Sequence, residues 1–252
     1  MAADSALFSY SLRLADNANV LGHRMCEWSG KAPMLEEDMA LSNLGLDLIG
    51  QARSLYSYAG EVEGAGRSED DLAFMRDANS YSNVLLVEMP NGDFAVTMLR
   101  HFFFAAYYAP FFEELCKSKD ETLAAVAAKA VREMAYHLRH SAEWVIRLGD
   151  GSDESAKRMQ DAVNILWPYT GELFESDAID QQLLAEGIAV DPESLREKWQ
   201  ATVADVFKRA LLTAPEDAWM QSGGRTGEHT EHLGFMLAEM QFLQRSYPGA
   251  QW

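Results

Sequence analysis

The stretch from Thr122 to Leu148, TLAAVAAKAVREMAYHLRHSAEWVIRL, constrains the fold more than any other part of the chain. Ala127, Ala130, Met134, Leu138, Ser141, Val145 and Leu148 recur every three or four residues, the period of one face of an α-helix. An apolar face that long needs other long helices to pack against, which points to a helical bundle. His137 stands beside the stripe, and His140 follows one turn later. Carboxylate-bridged di-metal bundles carry Glu-x-x-His on such helices, because positions i and i+3 aim two ligands at one ion. Here the residue three before His137 is Met134.

The same periodicity predicts helices over about 5–29, 35–59 and 94–117, which with 122–148 make the core of a four-helix bundle. Gly30 to Pro33 ends the first, and Asp93 is placed to cap the third. The run His101 to Tyr108 carries aromatics all the way round, so that helix is expected to be buried on more than one side, and Pro110 is expected to kink it or open a π-turn. Residues 60–92 read as a long connection with a short helix near Asp70 to Arg76 and an apolar segment at Val84 to Val87. Beyond 152 come helices near 153–166, 178–185, 191–212 and 230–246. Asp191-Pro192 is a start signal for the third of these. No stretch alternates as a strand. The expected fold class is all-α, one domain over 1–252 with a C-terminal helical extension at 152–252.

The 39 acidic and 21 basic residues leave a net charge of −18. That balance argues against nucleic acid, anionic membrane surfaces and phosphate-rich ligands, and for a basic protein partner. No apolar run approaches about 18 residues, and the N-terminus lacks a signal-peptide pattern, so a cytoplasmic chain is expected. Cys26 and Cys116 are read as reduced, buried thiols.

A di-metal site of this kind takes an acid from each of two helices and Glu-x-x-His from the other two. Three residues before the six histidines, His23, His101, His137, His140, His229 and His232, stand Val20, Met98, Met134, His137, Thr226 and His229. None is acidic. Laying the second helix over the fourth at an offset of 87 sets Asp47 opposite Met134 and Gly50 opposite His137. Each half then keeps one member of the ligand pair and lacks the other. Asp16, Asp47, Gly50, Met134 and His137 therefore mark a degenerate site. Buried, Asp16 or Asp47 is expected to be hydrogen-bonded within a polar core layer or paired with an arginine such as Arg53 or Arg100, rather than to be a ligand. The rival reading is an active oxidase on an irregular set, Asp16, Asp47, His137 and His140.

His137-x-x-His140 and His229-x-x-His232 have zinc-compatible spacing but no further acid or thiol nearby. Glu133 and His137, like Glu228 and His232, are spaced for i,i+4 contacts that would occupy the imidazole. Gly223 to Gly227 lacks the preceding strand and the GK[ST] ending of a phosphate loop and reads as a flexible surface loop.

The segments LADNANVLGHRMCEWSGKAPMLEEDMALSNLGLDLIGQARSLYSYA, VEMPNGDFA, AYHLRHSAEWVIRLGDG, TGEHTEHLGFMLAEMQFLQ and PGAQW closely resemble the non-catalytic C-type subunits of bacterial multicomponent phenylacetyl-CoA 1,2-epoxidases. The resemblance implies a ferritin-like, cytosolic structural subunit in phenylacetate degradation. It also implies partners: an A-type subunit holding the di-iron centre and the coenzyme A substrate, a small B-type subunit, and a reductase with flavin and iron–sulfur groups that draws electrons from NADPH. No catalytic or metal residue carries over, since the A-type motif falls on Asp47…Gly50 and Met134…His137. An acyl-CoA binding module is the further alternative, which the acidic charge disfavours. For the partner interface, the aromatics Trp28, Tyr56, Tyr58, Phe102, Phe103, Tyr107 and Tyr108 are the candidates, each set against burial in the chain's own core.

Overall fold

The computed structural model describes residues 2–216 and 219–250. Among them every regular element is helical, so the protein is all-α and holds the two long helical hairpins from which a ferritin-like bundle is built. Contacts cluster into two compact units, Met1–Pro90 with Gly223–Trp252, and Asn91–Ser222.

In the first unit, α1 (Ala2–Cys26) and α2 (Leu35–Glu63) form one antiparallel hairpin. The buried face of α2 runs through Leu41, Leu44, Leu48, Ala52, Leu55 and Ala59. α1 stops three residues before the predicted Ser29, and α2 continues four past Ala59. The connection after it is ordered. α3 (Glu69–Phe74) starts at a capping box, in which Ser68 and Asp71 each satisfy the other's backbone N–H. The apolar segment becomes the short, buried α4 (Leu85–Glu88), packed on α1. The chain's last part, with α10 (Glu231–Met240) and α11 (Phe242–Ser246), belongs to this unit too. The single predicted helix over 230–246 is thus broken at Gln241, whose buried side chain donates to the backbone carbonyls of Ala73 and Arg76.

In the second unit, α5 (Phe94–Leu115) and α6 (Glu121–Gly149) make the other hairpin, and α7 (Asp153–Leu166), α8 (Ala178–Glu186) and α9 (Arg196–Arg209) complete it. Asp93 caps α5 as expected, accepting from the N–H of Val96 at 3.0 Å. The α5 helix runs through Pro110. Asp191 accepts from the N–H of Glu193, but the turn it opens is a 3-10 turn, and α9 begins only at Arg196. The buried face of α6 is Leu123, Ala127, Ala130, Met134, His137, Ser141 and Val145. His137 therefore lies on the seam rather than beside it, in the place predicted for Leu138, which is half-buried.

Candidate functional site

Four side chains of the degenerate site end in very different surroundings. Asp16, on α1, is fully buried. Its Oδ1 accepts from the Tyr56 hydroxyl at 2.6 Å and from Nη2 of Arg76; its Oδ2 accepts from Nη1 of Arg76 at 3.1 Å and from the N–H of Ser82 at 2.9 Å. Arg76 lies over the Tyr81 ring, 4.2 Å from its centroid, and also donates to the carbonyls of Leu72 and Ser80. Burial alone would depress the guanidinium, but Asp16 more than offsets it and the group stays charged. Burial, then the Asp16 carboxylate, pushes the Tyr56 hydroxyl well above the usual phenol range. Four donors on two oxygens leave this carboxylate no free position for an ion. Asp16 is thus hydrogen-bonded and paired with an arginine, as expected of a buried acid that is not a ligand, but the arginine is Arg76, from the long connection, rather than Arg53 or Arg100. Arg53 pairs with Glu69 at 3.0 Å, and Arg100 donates to the Asn91 side chain at 2.5 Å.

Asp47 and Gly50 are only half-buried, outside the core face of α2. Met134 and His137 are fully buried on α6. The His137 ring sits 5.0 Å, centroid to centroid, from that of His101 on α5. His101 is fully buried, and neither of its ring nitrogens has a hydrogen-bond partner. Burial, then the neighbouring His137, His140 and Arg100, drives the His101 imidazolium well below its ordinary range, so the ring is neutral. His140 is half-buried, its ring 5.9 Å from that of Tyr136, and Glu133 lies within 3.6 Å of Lys129. Among the described residues, no group of three or more His, Cys, Asp and Glu side chains is placed to hold a metal ion. The donors present do not fit a di-iron centre, which needs bridging carboxylates.

One buried pair escaped the sequence analysis. Glu88, fully buried on α4, holds the Nδ1 of His229 at 2.8 Å, and the Nε2 of that ring meets the carbonyl oxygen of Tyr81 at 2.9 Å. Thr230 N–H and the Asn83 amide also donate to Glu88. Two acceptors against two ring nitrogens require two protons on the pair, one more than a neutral imidazole carries. Burial lowers the His229 imidazolium, but Glu88 and the Tyr81 carbonyl together raise it above its ordinary value. His229 is therefore a satisfied histidine, both of its nitrogens engaged, and the zinc alternative for His229-x-x-His232 gains nothing here. A lone acid inside the apolar run VLLVEMP was the available signal.

The glycine loop is corrected as well. A Cβ on Gly224 would lie 2.3 Å from the Asn83 carbonyl oxygen, and one on Gly227 2.5 Å from that of Asn79. The loop is packed against the segment that leads into α4, not free. Gly227 also holds φ +87°, which favours glycine.

Of the interface aromatics, Tyr56, Phe102, Phe103, Tyr107 and Tyr108 are buried within the chain. Phe103 sits within 6.0 Å of the rings of Trp167, Trp199 and Phe207, and its carbonyl accepts from the Trp199 indole at 3.0 Å. Tyr108 stacks on Phe104 at 4.1 Å. These five are core positions; Trp28 and Tyr58 are half-buried. Cys116 is exposed rather than buried, and Cys26 half-buried; both are free thiols. No helix among the described residues is long and apolar enough to cross a membrane.

What the fold defines is an all-α protein of the ferritin-like type; in its first unit the Asp16 carboxylate is saturated by its ion pair and hydrogen bonds, and in its second the His101 and His137 rings lie side by side, tilted by 42°. The profile of the family described as "Phenylacetic acid catabolic protein" matches residues 1–252. The C-type subunit of the 1,2-phenylacetyl-CoA epoxidase of Escherichia coli (strain K12) is 53% identical over 246 residues, which cover 98% of this chain and 99% of that protein. The chain belongs to the phenylacetic acid catabolic protein family.

Proposed function

We propose that this chain is the structural, catalytically silent subunit of a di-iron complex that epoxidises phenylacetyl-CoA in aerobic phenylacetate degradation. The observation that carries the reading is the full-length similarity to a C-type epoxidase subunit. The saturation of Asp16 by four donors supports the silent part of it. On this reading the A-type partner brings the two irons and the acyl-CoA site. A small B-type subunit joins the complex, and a flavin and iron–sulfur reductase delivers electrons from NADPH. This chain contributes helical surface and no redox group, and it works in the cytoplasm. We read 1–252 as one ferritin-like domain, supported by a family match that runs through both units.

Co-purification with the A-type subunit, followed by iron analysis of each separated chain, tests the proposal. The partner is expected to hold the irons and this chain none. About two iron atoms on this chain, the content of a di-iron centre, would overturn it. The oxidase built on Asp16, Asp47, His137 and His140 predicts that result, and no observation favours it.

A further inference from the structure

We propose that the outer face of α2 is a docking seam for a single helix of a second protein, one with an apolar seam of its own and Lys or Arg on its flanks. This rests on the scaffold reading above and adds to it a location and a chemistry. Leu35, Met39, Ser42, Leu46, Ile49 and Arg53 follow one another at spacings of four and three, the rhythm of the a and d positions in paired helices. Leu35, Met39, Ser42, Leu46 and Arg53 lie on the side of α2 opposite its buried face of Leu41, Leu44, Leu48 and Leu55, and Ile49, half-buried beside Gly22 of α1, marks the edge of the seam. Leu35 is 73% exposed, Met39 60% and Leu46 65%, although each has the size and shape of a core residue. Single exposed hydrophobics are ordinary, but three in one register over three turns are a surface in search of cover.

The seam has a socket. Its last two positions, Ile49 and Arg53, line a cavity of about 320 Å³ that also takes in His23, Tyr56 and Phe74. A bulky side chain from the partner helix fits there as an anchor, the arrangement that dominates helix-in-groove recognition.

Charge selects the partner. Between Leu35 and Gly50 stand Glu36, Glu37, Asp38 and Asp47, and no Lys, Arg or His; Arg53, at the far end of the seam, is already paired with Glu69. A second copy of the chain would set these four carboxylates against the same four, with net charges of −18 on each side. A helix with basic flanks gains where a second copy loses, which sets both the preference and the approach.

The full-length chain, co-produced with the A-type di-iron subunit, provides the test. Met39→Asp with Leu46→Asp is expected to weaken complex formation by about tenfold or more. Phe235→Asp with Phe242→Asp, on the exposed aromatic patch of α10 and α11, is expected to stay within about twofold. Failure of the unaltered chain to bind would sink the scaffold reading itself. Binding by the unaltered chain with the seam variant undiminished, or weakened no more than the α10–α11 variant, would overturn the seam alone. Amide hydrogen exchange on the unaltered complex decides the matter should the seam variant not fold: residues 35–53 are expected to slow, and unchanged exchange there overturns the proposal. Glu36→Lys with Asp47→Lys is expected to weaken binding at low salt and much less at high salt; indifference to salt overturns the basic flank. Sedimentation of the isolated chain as a dimer that the seam variant dissociates would make the occupant a second copy and overturn the proposal too.

Discussion

The Asp16 cluster of the first unit and the His101–His137 pair of the second are both buried polar groups on the long core helices, and they are resolved in opposite ways. Asp16 receives a guanidinium, a phenol and a backbone N–H. His101 gives up its charge and receives no hydrogen bond at all. The difference follows from solvation. A buried carboxylate without partners costs many kcal/mol, whereas a neutral imidazole costs only its lost hydrogen bonds, about 1–3 kcal/mol. The first therefore needs a purpose-built environment, and the second only tolerates its place.

Breaking the Asp16 cluster should have the largest effect. Arg76→Met strands the carboxylate and is expected to cost about 3–5 kcal/mol in urea unfolding of the purified chain. Asp16→Asn, which removes the charge but keeps one acceptor oxygen, for Tyr56 or for Ser82, should cost less. A small effect of Arg76→Met would mean the carboxylate finds water, and the contrast with His101 would fail.

The Glu88–His229 pair sharpens the contrast, because it is a buried histidine treated as Asp16 is. His229→Leu should cost about 2–3 kcal/mol by leaving Glu88 without its charged donor. Its pH dependence has a definite sign. A raised imidazolium contributes stability that is fully present below the unfolded value of about 6.5 and is lost as pH rises through the folded value. The loss above that value should vanish in His229→Leu, which unfolding measured from pH 6 to 9 would check. Next in size, Gly224→Ala forces a Cβ against the Asn83 carbonyl and should cost about 1–3 kcal/mol, read as a fall in Tm.

The helices were legible in the sequence because their period is local. α2, α5, α6 and α7 begin and end within a few residues of their predicted bounds, since Asp93 and Ser152 cap them and apolar spacing carries the rest. The absence of Glu-x-x-His was legible for the same reason: i and i+3 are close in sequence. What was not legible was tertiary. Arg76 reaches Asp16 across 60 residues, and His229 reaches Glu88 across 141, distances over which spacing carries no signal. Composition misled on the aromatics as well. Interface-type residues such as Phe103 and Tyr108 are equally core-type residues, and α5 is buried nearly all round.

The smallest expected effect is the most discriminating one. His101→Leu removes a buried ring whose two nitrogens have no hydrogen bond and replaces it with a side chain that asks for none. Urea unfolding at pH 8 should show a change near zero, within about 1 kcal/mol, where Arg76→Met shows several. Lowering the pH separates them further. The depressed His101 imidazolium means the unfolded chain takes up a proton below about pH 6.5 that the folded chain refuses, so stability falls as pH falls through that range. His101→Leu should flatten that fall, in the opposite pH direction from His229→Leu. If His101→Leu instead cost as much as Arg76→Met and left the acid limb untouched, the imidazole would be a built part of the core, and the two regions would no longer stand as opposites.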